Sequence, residues 1–332
     1  MGNDQDIDNT GLTAQPGSPP KQGVSLSTSV DSTLGTPAIL LQPNGVEPTS
    51  EWVYDLDPEV YHADKTRVSS SILKTIRKSA RTFWGKFHGV WPDEDSDARL
   101  FGRAVHCALL EGMEAFNKRY VVMPKFTGKT LKGEESAQSK EAREKKAMWL
   151  AALPPGIEVV TTEQFTNMNG VIEAILDHPD AVALLKNGAR EVTGYTVDPV
   201  TGIRLRLRPD FLSFNLSVLV DFKACRDVTE FRFQRQMVDL GWDFSEAFYS
   251  SGIELISGKK PDYVAFVAVE SEAPYECAVY IADHHVTDRG FYQYRQALDT
   301  LKSCIVSNQW PRYQEKMKTI SLPNYLLEKA DW

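Results

Sequence analysis

Long hydrophobic runs are missing from this chain: no stretch approaches the roughly 18 to 20 continuous apolar residues of a spanning helix. The N-terminus also lacks the basic region and apolar run of a secretory signal. Asp6 stands where the myristoylation pattern requires Ser or Thr, so a lipid anchor is not expected. Cysteine is scarce. Cys107, Cys225, Cys277 and Cys304 are far apart with no C-x-x-C pair, which excludes a zinc ribbon and any readable disulfide framework. Together these absences point to a reducing cytoplasm and no membrane partner. Excess positive charge is absent too: 37 Lys and Arg against 45 Asp and Glu give a net charge of −8 over 332 residues. That balance argues against a non-specific nucleic-acid coat, because neutralising phosphates requires cations, although local distribution matters more than the total.

Residues 1 to 50 contain no Phe or Tyr and no Trp, are rich in Gly, Pro, Ser and Thr, and carry Lys21 as their only Lys or Arg. This composition predicts a disordered tail, with the apolar patch Ala38 to Leu41 as its one segment able to dock. A single folded domain is expected from 51 to 332.

SSSILKTIRKSARTFWGKF, from Ser69, reads as one capped helix, with Ile72, Leu73, Ile76, Ala80 and Phe83 at helical spacing. Its other face carries Lys74, Arg77, Lys78 and Arg81. Ala98 to Glu111 predicts a strongly apolar helix, Lys125 to Lys146 a loop or lid running into a charged helix, and 161–176 and 180–186 two more helices. The texture then changes to strands at 191–197, 204–208, 217–223, 263–269 and 276–282, with Asp198 to Gly202 as a hairpin turn. Helices are expected at 228–240, 242–256 and 287–308. The order describes an α+β domain with a central mixed sheet flanked by helices.

The chemistry concentrates in RLRLRPDFLSFNLSVLVDFKA. Strand residues two apart share a face, so Asp221 and Lys223 project together while Phe222 points into the opposite layer. If Asp210 begins the neighbouring strand, its carboxylate falls beside that of Asp221. Two such oxygens suit a divalent cation, with Mg²⁺ the default, and Lys223 could align or deprotonate a water or neutralise phosphate charge. The bland alternative is a strand-end ion pair worth little. His106, on an apolar helix, is either a core histidine or a ligand; Gly102, one turn earlier, would admit another backbone close to its ring. Arg204, Arg206 and Arg208 alternate towards Asp210, as phosphate contacts or as the wet face of an edge strand. Glu191 is either a further acid of the site or a solvated strand end. Glu111 lies about 140° round the helix from His106, so direct ligation is not expected of it. The basic Ser69 helix could hold a phosphate through Ser70, Lys74, Arg77 and Arg81, or present a solvated face.

Gly102-x-x-x-His106, Arg208-Pro209-Asp210, Asp221-Phe222-Lys223 and a later Tyr249 fall in this order, after Ser69-Ser70-Ser71-Ile72-Leu73-Lys74. In this the chain resembles the PD-(D/E)XK nuclease superfamily, specifically the RecE-type exonucleases (exodeoxyribonuclease VIII C-terminal domain) of phages and prophages. The resemblance covers roughly residues 54 to 310. It implies a restriction-endonuclease-like core and an exonuclease that digests linear double-stranded DNA from 5′ ends, leaving 3′ single strands for recombination. The same resemblance places His106, Asp210, Asp221 and the Phe222 carbonyl at Mg²⁺, or Mn²⁺, and makes Lys223 catalytic. It further implies a homo-oligomer, even a ring, a single-strand annealing recombinase as partner, and the cytoplasm of a bacterial host. One feature departs from the pattern: Trp242-Asp-Phe-Ser-Glu-Ala-Phe-Tyr249 carries Ser245 where the family has a catalytic-helix glutamine. The alternative function is therefore a catalytically weakened DNA-binding or scaffold module. If Ser245 and Tyr249 both line the cleft, Ser245→Gln is expected to speed the reaction.

Overall fold

A computed structural model of the chain describes residues 40–43, 49–91, 95–130, 132 and 134–322. In chain order the first half holds β1 (Glu51–Val53), α1 (Pro58–Ala63), α2 (Ser70–Lys74), α3 (Ala80–Phe87), α4 (Asp97–His106), α5 (Met113–Arg119), β2 (Tyr120–Val122), β3 (Gly128–Lys129), β4 (Glu135–Ser136), α6 (Lys140–Ala151), β5 (Glu158–Val160), α7 (Thr162–Asp177) and α8 (Pro179–Leu184). The second half runs β6 (Gly188–Arg190), β7 (Thr193–Val197), β8 (Arg204–Leu207), β9 (Phe211–Ser213), β10 (Val218–Cys225), α9 (Glu230–Leu240), α10 (Trp242–Ser257), β11 (Tyr263–Glu270), β12 (Cys277–Ile281) and α11 (His284–Ser307). None of the described helices is long and apolar enough to cross a membrane.

The expected single sheet is two. β1, β7 and β8 form a three-stranded antiparallel sheet, and β12-β11-β10-β9-β6 form a separate five-stranded one. Only β10 and β11 pair in parallel in the larger sheet, and the chain between them supplies α9 and α10. Such a pair cannot be joined by a tight turn, which is why the longest strands are separated by two helices. Both faces of this sheet are covered, so β10 and β11 read as continuous apolar runs. Phe101 and Val105 of α4 and Val171 and Ile175 of α7 pack on Val220, Phe222, Ala265 and Val267. On the other face Phe233 and Met237 of α9 and Trp242 of α10 pack on Cys225, Phe266 and Ala268. α11 clamps α10 at a position where only glycine fits: a Cβ on Gly290 would lie 2.1 Å from the Asp243 carbonyl oxygen.

The basic helix expected from Ser69 is broken. α2 ends at Lys74, a 3₁₀ turn covers Thr75–Arg77, and Ser79 restarts the helix by accepting from the Thr82 N–H at 3.0 Å. Lys74 and Arg77 both border Gly241, whereas Arg81, on the restarted helix, lies by Trp91. The helix predicted over 98–111 likewise gives way after His106 to a π-helical turn, Cys107–Glu111. A widened turn of this kind often sits beside a functional residue.

Leu40 and Leu41 overturn the reading of the first fifty residues as wholly unstructured; residues 1–39 and 44–48 lie outside the described set. Leu40 is fully buried, Leu41 bridges to Ile203, and the Gln42 N–H donates to the Gly202 carbonyl at 2.8 Å. A truncation beginning at residue 51 removes a buried leucine, so it is expected to lower stability by about 2–5 kcal/mol, as core leucine truncations do. Thermal melting of that truncation against the full chain checks this. Equal melting temperatures would show that Leu40 contributes nothing.

Candidate active site

β9 and β10 build the centre. Their antiparallel register pairs Val220 with Phe211, so the next positions outward are Asp221 and Asp210, at the point where β9 has not yet begun. The β10 edge is consequently open there, and the Phe222 N–H donates to Asp210 Oδ2 at 2.7 Å instead of to a strand. N–H and C=O of one strand residue leave from the same edge, so the Phe222 carbonyl faces that side as well. The Phe222 ring is buried in the opposite layer and meets the His106 ring edge-on, 6.3 Å between centroids.

His106, at the end of α4, stands with Nδ1 3.6 Å from Asp210 Oδ1. Glu191 is the third member: ligand atoms of His106, Glu191 and Asp210 lie within 4.8 Å of one another. Glu191 has φ of 49°, a left-handed conformation uncommon for a residue with a side chain. Its N–H donates to the Asp210 carbonyl at 3.1 Å and its carboxylate pairs with Arg208 Nε at 2.9 Å. Backbone and side chain are thus both tied to the Arg208-Pro209-Asp210 segment, which holds the strained residue in place. The sequence left Glu191 undecided between site and solvent, and its half-buried place in the cluster decides for the site.

Asp221 and Lys223 lie on the α10 face of β10, where the Asp221 carboxyl is in hydrogen-bond contact with that of Asp210 and so joins the His106 cluster. Lys223 Nζ pairs with Asp221 Oδ2 and sits 5.5 Å from the centroid of the Trp242 ring. Facing them on α10 is Glu246, 1% exposed, its carboxyl group in hydrogen-bond contact with that of Asp221. Burial pushes Glu246 well above the usual carboxylate range, and the charge of Asp221 adds to it. Asp221 goes the other way: burial would raise it, but the Lys223 ammonium together with hydrogen bonds from Glu246 and Asp210 holds it low. Asp210 is driven up to about 8, first by burial, with the Asp221 charge adding and His106 opposing. For His106 burial lowers the basicity, yet the carboxylates of Asp210 and Glu191 raise it to about 9. Such opposed shifts in one cluster mark a site organised around charge.

Other expected residues are placed differently. No other backbone comes close at Gly102, where a Cβ would face open space with nothing within 4 Å. Glu111 is turned away and holds Arg119 in a two-pronged pair at 2.6 Å. Lys74 is aimed at the centre rather than at the exterior: its Nζ approaches the Leu240 carbonyl at 3.4 Å, and burial and Lys223 lower it to about 8. Arg77 is exposed with its guanidinium 5.8 Å from the Phe244 ring, and Arg81 lies 5.7 Å from that of Trp91. Arg206 is not on a wet edge. Val68 bridges to Leu205 along that strand, and Arg206 is 6% exposed with a guanidinium nitrogen on the Tyr61 carbonyl. Arg208 donates to the Leu56 carbonyl at 3.0 Å. Both arginines, with Ser69, Ser70, Glu191 and Tyr249, line a cleft of 440 Å³. Tyr249 thus reaches the cleft, its phenol held well above the usual range by burial.

Ser245, expected as a short stand-in for a positioning glutamine, is packed between helices. It is 7% exposed, accepts from Ser70 Oγ at 3.1 Å and donates to the Gly241 carbonyl at 3.4 Å, so it joins α10 to α2. Ser245→Gln forces extra volume into this contact and is expected to cost about 1–3 kcal/mol of stability and to give no faster reaction. Melting curves with single-turnover rates check it; a faster variant of unchanged stability would restore the positioning role.

Among the described residues one other grouping of metal-binding side chains occurs, Asp283, His284 and His285 at the start of α11. These are exposed neighbours in sequence, and Asp283 caps the helix by accepting from the Val286 N–H at 3.0 Å. The His106 cluster is the better cation site. One imidazole nitrogen and several carboxylate oxygens converge there, and an open strand edge presents a carbonyl. That donor set fits a six-coordinate divalent cation, with Mg²⁺ favoured by the oxygens and Mn²⁺ by the imidazole.

A mixed sheet with helices on both faces, an Asp at the head of one strand and Asp-x-Lys in the next defines a PD-(D/E)XK-type nuclease fold. The chain belongs to the family described as "PDDEXK-like domain of unknown function (DUF3799)", whose profile matches residues 69–323. No curated protein matches the chain. A crystal structure from Eubacterium rectale, described as a "putative exonuclease", aligns with a TM-score of 0.54 over 84% of this chain and 100% of that one, at 16% identity. At that identity the likeness is one of fold.

Proposed function

We propose that the protein is a divalent-metal-dependent exonuclease of the RecE type, phage or prophage encoded, that acts on linear double-stranded DNA. In this reading it degrades the 5′-ended strand and leaves a 3′ single strand for a strand-annealing partner. The observation that carries the proposal is the meeting of His106, Glu191 and Asp210 with the Asp221–Lys223 pair at one strand end.

His106, Asp210, Asp221 and the Phe222 carbonyl, with Glu191, would hold the cation, which supplies charge neutralisation and water activation at a phosphodiester when bound. Lys223 brings an ammonium to the scissile phosphate, where negative charge develops. Asp221 holds Lys223 in the site and keeps it protonated. Arg206 and Arg208 present guanidinium groups along the cleft, a suitable lining for the phosphates of the strand being cut. The alternative, a catalytically weakened DNA-binding or scaffold module, rests on Ser245 in place of the family glutamine; the Asp221–Lys223 pair and the His106 cluster support the active reading.

Linear duplexes labelled separately at the 5′ and 3′ ends, beside a closed circular duplex, test the proposal. With Mg²⁺ the 5′ label is released first as small products and the circle survives. Early release of the 3′ label would overturn the polarity, cutting of the circle would overturn the exonuclease assignment, and no cutting under Mg²⁺ or Mn²⁺ would leave a binding module.

A further inference from the structure

Two surface features just beyond the centre take no part in the chemistry above. The first is an open cleft of 550 Å³ where β10 ends and α9 begins, lined by Arg226, Arg232, Arg235 and Gln236 with the acids Asp227 and Asp239. All three arginines are exposed, whereas Asp227 is committed to the turn: its Oδ1 accepts from the Thr229 N–H at 2.9 Å and from the Thr229 hydroxyl at 2.6 Å. The second feature is Phe231, 64% exposed, with the Arg235 guanidinium 5.9 Å from the centroid of its ring. Phe231, Arg235 and Val238 follow the spacing i, i+4, i+7, so they share the outer face of α9, opposite the Phe233 and Met237 that it buries. One exposed ring is ordinary on a protein surface. A ring beside several arginines is the composition of a groove for unpaired nucleic acid, cations for the phosphates and a flat apolar face for a base.

We infer that this face of α9 is a single-strand site: the strand left unpaired as its partner is degraded runs along α9, with phosphates on Arg226, Arg232 and Arg235 and a base stacked on Phe231. This rests on the nuclease reading of the centre and adds to it the path of the strand that is not cut. The helix is placed for it. Arg226 follows Lys223 by three residues, about 10 Å along an extended chain. At its other end α9 returns to the centre, where the Leu240 carbonyl accepts from Lys74 Nζ at 3.4 Å and Gly241 is bordered by Lys74 and Arg77. Phe231 stands about 13 Å up the helix from that end. Arginines alone would take paired or unpaired DNA, but the base faces of a duplex are covered by their neighbours, so the exposed ring selects the unpaired strand.

The test is fluorescence anisotropy with the full chain in EDTA, where nothing is cut, on a labelled oligothymidylate and on an abasic oligomer of the same length. Wild type is expected to bind the oligothymidylate at least about fivefold more tightly, the contribution of one stacked base. Phe231→Ala is expected to bind the two within about twofold of each other, and to bind closed circular duplex as wild type does. Arg226→Gln is expected to lower the slope of log affinity against log salt by about 0.7, the share of one phosphate contact on a single strand. A wild type without the preference overturns the inference, and so does a Phe231→Ala that retains it or an Arg226→Gln with an unchanged salt slope. An equal loss on the circular duplex in Phe231→Ala also overturns it, by making α9 a contact for paired DNA. Wild-type protein that shows the preference yet cuts no linear duplex under Mg²⁺ or Mn²⁺ would sink the nuclease reading itself, an outcome separate from these.

Discussion

Lys223→Met reduces degradation of linear duplex by at least a hundredfold, and lowers stability as far as the buried Asp221 carboxylate is left without its ammonium. Loss of one preorganised charge at a phosphoryl centre accounts for a factor of this size, since removing a single stabilising donor in a closed site typically costs 10²–10³ in rate. Methionine fills the volume of the lysine stem against Trp242, so packing is retained. Asp221 behaves differently from what its position at a strand end suggests. It is 4% exposed and paired, so Asp221→Ala leaves a buried ammonium short of its partner and lowers stability as well as activity. Asp221→Asn keeps the shape and separates the two effects. Single-turnover rates and melting curves on all three variants check this; cleavage by Lys223→Met at a tenth of the wild-type rate or more would remove Lys223 from the chemistry.

Divalent-ion affinity rises steeply with pH, by up to tenfold per unit for each proton displaced, between about pH 6 and 9. The sign follows from the cluster. His106 is raised to about 9 by Asp210 and Glu191 in spite of its burial, so without a cation it carries a proton through the neutral range. Its contribution to stability is complete below the ordinary histidine value and fades as pH climbs through about 9. Asp210, raised to about 8 by burial, is most comfortable protonated; losing that proton burdens the metal-free fold further. Both protons must leave before the two groups can act as ligands. The melting-temperature gain on adding Mg²⁺ should therefore be small near pH 6 and large near pH 8.5. A gain independent of pH would place the cation on groups other than this pair.

Asp210, Asp221 and Lys223 were legible in the sequence for a local reason: a hairpin of short connection brings carboxylates eleven residues apart together, and alternation along β10 sets which side chains share a face. Longer-range facts were not legible. Nothing in Glu191 announces a left-handed backbone tied to Asp210, because that pairing depends on β6 and β9 adopting their register. Glu246 sits next to Ser245, and motif alignment directed attention to the altered serine rather than to the acid beside it. The two sheets were read as one because alternating strands look alike whichever sheet they join, and the three-residue β1 that completes the smaller sheet carries too little pattern to be seen. The patch Ala38 to Leu41 stood out from its polar surroundings as able to dock, but nothing local names its partner: the bridge of Leu41 to Ile203 joins residues more than 160 positions apart. The basic face of the Ser69 helix failed for a related reason: spacing assumes one unbroken helix, and Ser79 caps a new one.

Hydrolysis of DNA ends at a cation held by Asp210 is tested most directly by following linear duplex with wild-type protein and Asp210→Asn, in Mg²⁺ and in EDTA. Wild type is predicted to digest the duplex in Mg²⁺, to stop in EDTA and to resume when Mg²⁺ is restored, with Asp210→Asn slower by at least about a hundredfold. Digestion that continues in EDTA, or proceeds at the wild-type rate in Asp210→Asn, would contradict the account.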